Sequence, residues 1–306
     1  MVIKFLYLRK NKMKKSLVFS FTDSGLFSEI NNLLLTVLYC KKNGYDLLID
    51  YSSLRCISKI HLKNIFLLDD YNTINDVIIT SASTRSINTY ISRQSGSKKI
   101  MYLIKYYFHI IRFYISSNIH NYNYELFQNH FNKIRELRLS LSENDKNFIF
   151  QTVDNIWNFD SFSASTIHTN FVGAHIRRGD KITETEFISL DLFYREIIDK
   201  CKINNTKNVV LFTDFLGDGI KLKDMLFGYN VKVKSLDEEG YFHEEFLKQS
   251  DITKNDKTLK LCNIVHEMSL ATHFIGSNDA NLSAFICLLR KGKKITDLRD
   301  GGLIIY

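Results

Sequence analysis

The chain has 306 residues, of which 45% are hydrophobic, so it is long for one compact domain and sufficient for two of about 150 residues each. Its formal net charge of +8 favours anionic partners, namely a nucleotide, a nucleic acid or an acidic membrane surface. The five cysteines form neither a Cys-x-x-Cys pair nor a Cys/His cluster at zinc spacing. This spacing argues against a disulfide framework and a zinc site, and it favours a reducing compartment.

The amino-terminal segment 1–15 mixes apolar and basic residues without the long apolar region and small-residue cleavage site of a signal peptide. Nowhere does the sequence reach the roughly 18 consecutive apolar residues that a membrane-spanning helix needs. We therefore expect the protein to work in the cytoplasm.

The first predicted elements form one βαβ unit. The apolar run 17–21 predicts a strand, Gly25 follows in the turn, and 47–49 predicts a second strand. Between the strands, apolar residues recur at helical spacing and predict a helix with one face toward the core. These residues are Ile30, Leu33, Leu34, Val37 and Leu38.

Aromatic and aliphatic residues alternate with basic residues in the segment 98–124. Such a composition fits a helix at a membrane interface, and the alternative is a helix packed within the first domain. Interleaved aromatic and basic residues also occur in nucleic-acid-binding proteins, but no recognisable RNA- or DNA-binding motif accompanies them here. We therefore expect no nucleic-acid partner.

A second alternating series begins at Phe171 and predicts another Rossmann-like half. Its predicted strands are a run ending at Ile176 and the segments 209–212, 231–233 and 274–276. Its predicted helices are 191–202, 220–227, 259–271 and 282–289. We therefore predict an α/β chain with two Rossmann-like domains facing a cleft. The first spans 1–160 with a helical insertion at about 98–150, and the second spans 161–306.

A charged cluster follows the predicted strand that ends at Ile176. From His175 to Lys181 the sequence is His-Ile-Arg-Arg-Gly-Asp-Lys, so an apolar run gives way abruptly to charge. Guanidinium forks grip pairs of oxygen atoms and a lysine adds a point charge, a combination that suits a diphosphate. The alternative is that Arg177 and Arg178 are ordinary surface residues in a βα loop. The strand before them and the helix after them favour an anion site.

The stretch 175–181 resembles the signature of the fucosyltransferase superfamily that uses GDP-fucose, in which His-x-Arg-Arg precedes a small residue, Asp, and Lys or an aromatic. Three further segments are similar to that superfamily in the same order along the chain. They are the loop and helix at 25–33, the strand ending in Thr-Asp at 209–214, and the helix, strand and polar loop at 267–281. The resemblance implies a GT-B-like fold, with the acceptor side in the first domain and the donor side in the second.

The resemblance also implies roles for individual residues. His175 and Arg177 would contact the β-phosphate, with Arg178 assisting. Glu184 is the first candidate for the base that deprotonates the acceptor, and Glu186 is the second. The other implied donor-side residues are Gly25, Asp180, Lys181, Asp214, Ser277, Asn278 and Asp279. For Asp214, Asn278 and Asp279, helix capping is an equally open interpretation.

The implied function is inverting transfer of fucose from GDP-fucose to a hydroxyl of a glycan or glycolipid acceptor, in an α1,6- or α1,2-type linkage. We expect no cofactor and no metal, because arginines can neutralise the leaving diphosphate and no Asp-x-Asp motif is present. A peripheral contact of 98–124 with the inner membrane face would suit a lipid-linked acceptor.

The sequence departs from the superfamily in three places. One residue is missing before the base position of the α1,6 enzymes, so Glu184 aligns with that base only if Phe187 is kept in register. Phe215 replaces the second Asp after the Thr-Asp pair, and Asn-Leu-Ser-Ala-Phe at 281–285 stands where α1,2 enzymes carry Ser-Phe-Ser-Trp-Trp. Two alternatives therefore stay open. One is a transferase of the same fold that uses another nucleotide sugar, and the other is a non-catalytic relative that binds a glycan or a nucleotide.

Overall fold

The computed structural model describes residues 15–22, 24–51, 54–68, 72–73, 100, 124–162, 170–178, 187–237, 241–277 and 280–299. The described residues fall into two compact units. The first takes them from the ranges 1–24, 32–54 and 69–140, and the second from 25–31, 55–68 and 141–306. The domain limits predicted from the sequence stay a prediction. Apart from Ile100 and Tyr124, the predicted helix at 98–124 lies outside the described residues.

The first unit is built on a parallel four-stranded sheet with the strand order β3-β2-β1-β4. Its strands are β1 (Ser16–Ser20), β2 (Asp46–Asp50), β3 (Asn72–Thr73) and β4 (Tyr124–Leu126). The helices in this part of the chain are α1 (Leu26–Asn43), α2 (Lys59–Ile65) and α3 (Phe127–Leu137). The predicted βαβ unit is confirmed, because β1, α1 and β2 lie where the sequence places them.

The second unit is built on a parallel five-stranded sheet with the strand order β7-β6-β5-β8-β9. Its strands are β5 (Val172–Ile176), β6 (Asn208–Thr213), β7 (Asn230–Lys234), β8 (His273–Gly276) and β9 (Ile295–Asp297). Its longer helices are α4 (Glu143–Ile156), α5 (Leu190–Ile203), α6 (Leu216–Met225), α7 (His243–Lys248), α8 (Asp251–Ser269) and α9 (Asn281–Leu289).

Four strands and four helices of the second unit confirm the predicted series, with two helix starts displaced. Helix α6 begins at Leu216 instead of 220, and α8 begins at Asp251 instead of 259. The first turns of α8 are mainly polar, so apolar periodicity could not detect them. Ser250 marks the true start, because its side chain accepts a hydrogen bond from the Thr253 amide.

The order of strands reverses between β5 and β8. From β5 the chain moves outward through β6 to β7, and it then returns to the other side of β5 to form β8 and β9. In open parallel sheets, ligands bind in the crevice at the carboxyl ends of the strands where such a reversal occurs. The end of β5 is therefore the expected binding position.

Side chains on β5 alternate between two helical layers. Val172, Ala174 and Ile176 belong to the apolar core that contains residues of α5 and α6. Gly173 faces α8 instead, where a Cβ atom would lie 2.9 Å from the Met268 sulfur. Because neighbouring side chains on a strand point to opposite faces, the β5 sequence assigns each residue to one layer.

None of the described helices combines the length and the apolar character that a bilayer-crossing helix requires.

The first residue of β8 makes the stability of the protein sensitive to acid. Burial lowers the pKa of His273 from 6.5 to about 4, and the nearby charges of Lys200 and Arg290 add to the effect. The unfolded chain therefore binds a proton on this ring at a higher pH than the folded chain does. The stability that the neutral ring contributes is complete above pH 6.5 and is lost as the pH falls toward 4.

We expect the melting temperature to fall more steeply between pH 6.5 and 4.5 in the native protein than in His273→Gln. Glutamine retains a polar group near Thr296, which His273 contacts through Nε2 at 2.9 Å, but it does not titrate. Circular dichroism melts at several pH values measure both slopes, and equal slopes would contradict the assignment.

Candidate functional site

His175 is fixed at the reversal point of the second sheet. It is buried, and its Nδ1 lies 2.7 Å from the Ser283 hydroxyl in the first turn of α9. Its ring also stacks on Phe212 of β6, with 5.3 Å between ring centroids and 17° between ring planes. The imidazole is therefore held between the neighbouring strand and the start of α9.

Close approach of α9 to the sheet depends on Gly276, the last residue of β8. A Cβ atom at this position would lie 2.7 Å from the Ser283 hydroxyl oxygen and 2.9 Å from the Phe274 ring. Only a residue without a side chain lets Ser283 come near enough to contact His175 in this arrangement. The next residue, Ser277, is buried at the end of β8 and begins the connection to α9.

At the amino terminus of α9, the residue at the capping position supplies no side-chain cap. Ala280 occupies the capping position, and it makes no side-chain hydrogen bond to the first amide groups of the helix. Uncapped amides and the helix dipole favour an anion at this place.

The first turn of α1 packs against α9 within the same unit. Asn31 donates its side-chain amide to the Asn281 carbonyl at 2.9 Å, and the Phe27 ring lies 5.0 Å from that of Phe285. Gly25 immediately precedes this turn, and nothing lies within 4 Å of the position that a Cβ atom would occupy there. The structure thus brings the Gly25 turn and α9 into one unit, with open space beside the glycine.

The two adjacent arginines have different surroundings. The Arg178 side chain is 6% exposed, and its Nε donates to Asp218 Oδ2 of α6 at 2.6 Å. Its two terminal nitrogens donate to the carbonyls of Arg177 and Ile188 at 2.9 and 3.0 Å. The Phe187 ring covers the guanidinium face at 4.9 Å. Arg178 is therefore occupied by protein groups.

Arg177 is only half-buried, and its carbonyl is the acceptor of the Arg178 hydrogen bond. Among the described residues, no carboxylate forms an ion pair with the Arg177 guanidinium. This arginine is consequently the better candidate of the two for contact with an external anion.

Asp214 follows β6 and holds the backbone of the arginine pair. Its carboxylate accepts a hydrogen bond from the Arg178 backbone amide, and its carbonyl accepts one from the Tyr241 amide at 2.8 Å. The residue at the capping position of α6 is Phe215, which makes no side-chain cap. The capping interpretation of Asp214 is therefore wrong, and the contact with Arg178 is one that the sequence did not predict.

Several predicted site residues lie outside the described part of the chain, and their roles stay predictions. These are Asp180, Lys181, Glu184, Glu186, Asn278 and Asp279.

A pocket that the sequence analysis missed lies beside the carboxyl end of β7. Its volume is about 570 Å³, and β7 contributes Lys234 and the following Ser235 to its lining. Helix α8 contributes a mixed polar and apolar wall that includes Asp256, Leu259 and Asn263. In sequence this wall has the spacing of an ordinary solvated helix face, so no motif marks it.

The described residues contain no group of three or more His, Cys, Asp or Glu side chains placed to hold a metal ion. All five cysteines are buried.

Comparison of the structure with solved structures gives the fold. NodZ, a fucosyltransferase from Bradyrhizobium, matches with a TM-score of 0.51 at 12% identity, over 94% of this chain and 96% of that one. POFUT1 in complex with GDP-fucose matches with 0.49 at 10% identity, over 92% and 96% of the two chains. A mutant of FUT1 from Arabidopsis thaliana in complex with GDP matches with 0.48 at 12% identity, over 94% and 71%.

The fold of this chain is thus similar to that of NodZ, which confirms the predicted α/β class and GT-B-like fold. By contrast, no family model and no curated protein matches the sequence of the chain.

The steric role of Gly276 predicts a specific loss of stability. Gly276→Ala should force α9 away from β8 and lower the free energy of unfolding by about 1–3 kcal/mol, the usual cost of overpacking a core. Denaturant unfolding measures this change. Gly25→Ala is the matched control and should stay within about 0.5 kcal/mol, since its Cβ meets no neighbour. Equal effects of the two substitutions would contradict the packing argument.

Proposed function

We infer that the chain is a glycosyltransferase that moves fucose from GDP-fucose to a hydroxyl group of a glycan acceptor. The observation that carries this proposal is the gathering of His175, the Arg177 backbone and the uncapped start of α9 at the reversal point of the second sheet. The likeness to NodZ in fold supports a nucleotide-sugar donor in this position.

Strand alternation separates the two arginines and gives them different tasks. Arg178 lies on the side of α5 and α6, as Ile176 does two residues earlier. Continued alternation puts Arg177 on the opposite side, with His175 and the start of α9. We assign Arg177 to the diphosphate for this reason, and because its guanidinium has no carboxylate partner among the described residues.

The nucleoside part of the donor fits the pocket beside β7. Two strand spacings separate β5 from β7, which is about 10 Å along the carboxyl edge of the sheet. A nucleoside diphosphate with its phosphates at β5 can span that distance. The pocket offers an apolar wall at Leu259 for a flat base, and acceptors at Asp256 and Asn263 for its N–H groups.

The proposed mechanism is an inverting displacement at the sugar. A carboxylate removes the proton of the acceptor hydroxyl, while Arg177 and the α9 amides stabilise the charge that develops on the departing diphosphate. Glu184 is the first candidate for that base and Glu186 the second. We propose that no metal ion is required, since a guanidinium and helix amides can supply the positive charge. The linkage, α1,6- or α1,2-type, depends on the acceptor side.

We propose that the enzyme is cytoplasmic and that its acceptor is a glycan or a glycolipid. A cytoplasmic enzyme that builds glycans would act on a free glycan or on a glycolipid at the inner membrane face. In the second case, the segment 98–124 would make the peripheral contact with the lipid.

Removal of the Arg177 guanidinium should impair both binding of the donor and transfer of fucose. Arg177→Ala should weaken GDP binding roughly 10- to 100-fold and lower fucosyl transfer by about 100-fold or more, since a charge-assisted contact to the leaving group is lost. Calorimetry and product mass measure the two effects. Arg195→Ala, which removes an exposed arginine of α5, is the control and should change neither. Native turnover in Arg177→Ala would exclude the phosphate role.

Removal of the proposed base should separate binding from chemistry. Glu184→Gln should bind GDP-fucose as the native protein does and reduce kcat by about 100-fold or more, because the neutral amide cannot accept the acceptor proton. Steady-state kinetics across a panel of glycan acceptors measures the change. If Glu184→Gln retains full activity and Glu186→Gln loses it, the base is Glu186.

A further inference from the structure

We propose that Arg178, Asp218 and Asp214 form a brace that positions Arg177, and that Arg178 does not itself bind the phosphates. The inference rests on the proposed function, because it concerns how the same site is held. It gives Asp218 a role that no sequence motif indicates, and it gives Asp214 a role other than ligand contact.

The hydrogen bonds of Arg178 leave little of its guanidinium for a ligand. Each of its three nitrogens already donates to a protein oxygen, namely those of Asp218, Arg177 and Ile188. The Phe187 ring occupies one face of the group. A phosphate that displaced Asp218 from this guanidinium would leave the Asp218 carboxylate without its closest cation.

The same contacts connect three separate pieces of chain. One is the end of β5, another is the segment at Phe187 and Ile188 that leads into α5, and the third is the first turn of α6. The brace therefore joins the end of β5 to the segment that leads into α5. Contacts of this kind reduce the conformational freedom of the chain pieces that they join.

Arg177 is held directly by this arrangement. Its carbonyl accepts from the Arg178 side chain, and the next backbone amide, that of Arg178, donates to the Asp214 carboxylate. The peptide group between Arg177 and Arg178 is thus restrained at both its carbonyl and its N–H. A brace of this kind sets the direction in which the Arg177 side chain leaves the strand, which is the geometric requirement for gripping a diphosphate.

Substitution of Asp218 distinguishes a brace from a ligand. If Arg178 positions Arg177, then Asp218→Ala should weaken GDP binding about 10-fold, as Arg178→Ala does. The double substitution should then be no weaker than either single one. If Arg178 binds phosphate directly, Asp218→Ala should leave GDP affinity unchanged or raise it, because the guanidinium is released. That result, or additive losses in the double variant, would overturn the proposal.

Calorimetry with GDP, at a temperature well below the unfolding transition of each variant, provides the comparison. Asp224→Ala removes an exposed aspartate from the same helix and is the matched control, which should bind GDP as the native protein does. Asp218→Glu should recover part of the affinity, since it restores the carboxylate. If either alanine variant does not fold, Asp218→Asn and Arg178→Lys take its place with the same expected order.

A second measurement separates failure of the brace from failure of the proposed function. Hydrogen exchange of the ligand-free protein should become at least 10-fold faster in the peptide covering 171–190 for Asp218→Ala, and stay unchanged for Asp224→Ala. This result is independent of GDP. A native protein that binds no GDP would refute the proposed function alone, whereas unchanged exchange in Asp218→Ala would overturn the brace.

Discussion

The alternation of side chains along β5 is the constraint on which the rest of the site depends. It directs Ile176 and Arg178 toward α5 and α6, and it directs Gly173 and His175 toward α8 and α9. Two arginines that are neighbours in sequence thereby enter different environments. Arg178 is enclosed and paired with Asp218, whereas Arg177 is half-buried and forms no ion pair with a described carboxylate.

Much of the second unit could be predicted from the sequence, because most of its strands are apolar runs and its helices contain recurring apolar residues. The strands at 209–212 and 274–276 are such runs and are confirmed, and the strand at 231–233, Val-Lys-Val, is confirmed although it is not a continuous apolar run. Strand β9 was missed because it is short and only partly apolar. Patterns of apolar residues could not predict the contacts between side chains of the site. The Ser283 hydroxyl that meets His175 is more than 100 residues away in sequence, and Asp218 has the appearance of an ordinary residue in a first helical turn.

For the proposed diphosphate site, this arrangement accounts for the small number of polar residues that it needs. Burial of His175 and closeness of α9, which Gly276 permits, bring fixed dipoles to the end of β5. Fixed groups lose little conformational entropy when a ligand binds, so each contact retains more of its interaction energy. In the proposed function, the pocket beside β7 extends the same edge of the sheet and holds the nucleoside.

Calorimetric titration of the native protein with GDP, GMP and UDP in EDTA tests the central claim most directly, namely that a guanosine diphosphate binds across β5 and β7. The account predicts that GDP binds without added metal. GMP should bind at least about 10-fold more weakly, since it lacks the phosphate that Arg177 grips, and UDP should also bind more weakly because its base is smaller. Equal affinity for GDP and GMP, or no binding of GDP, would contradict the account.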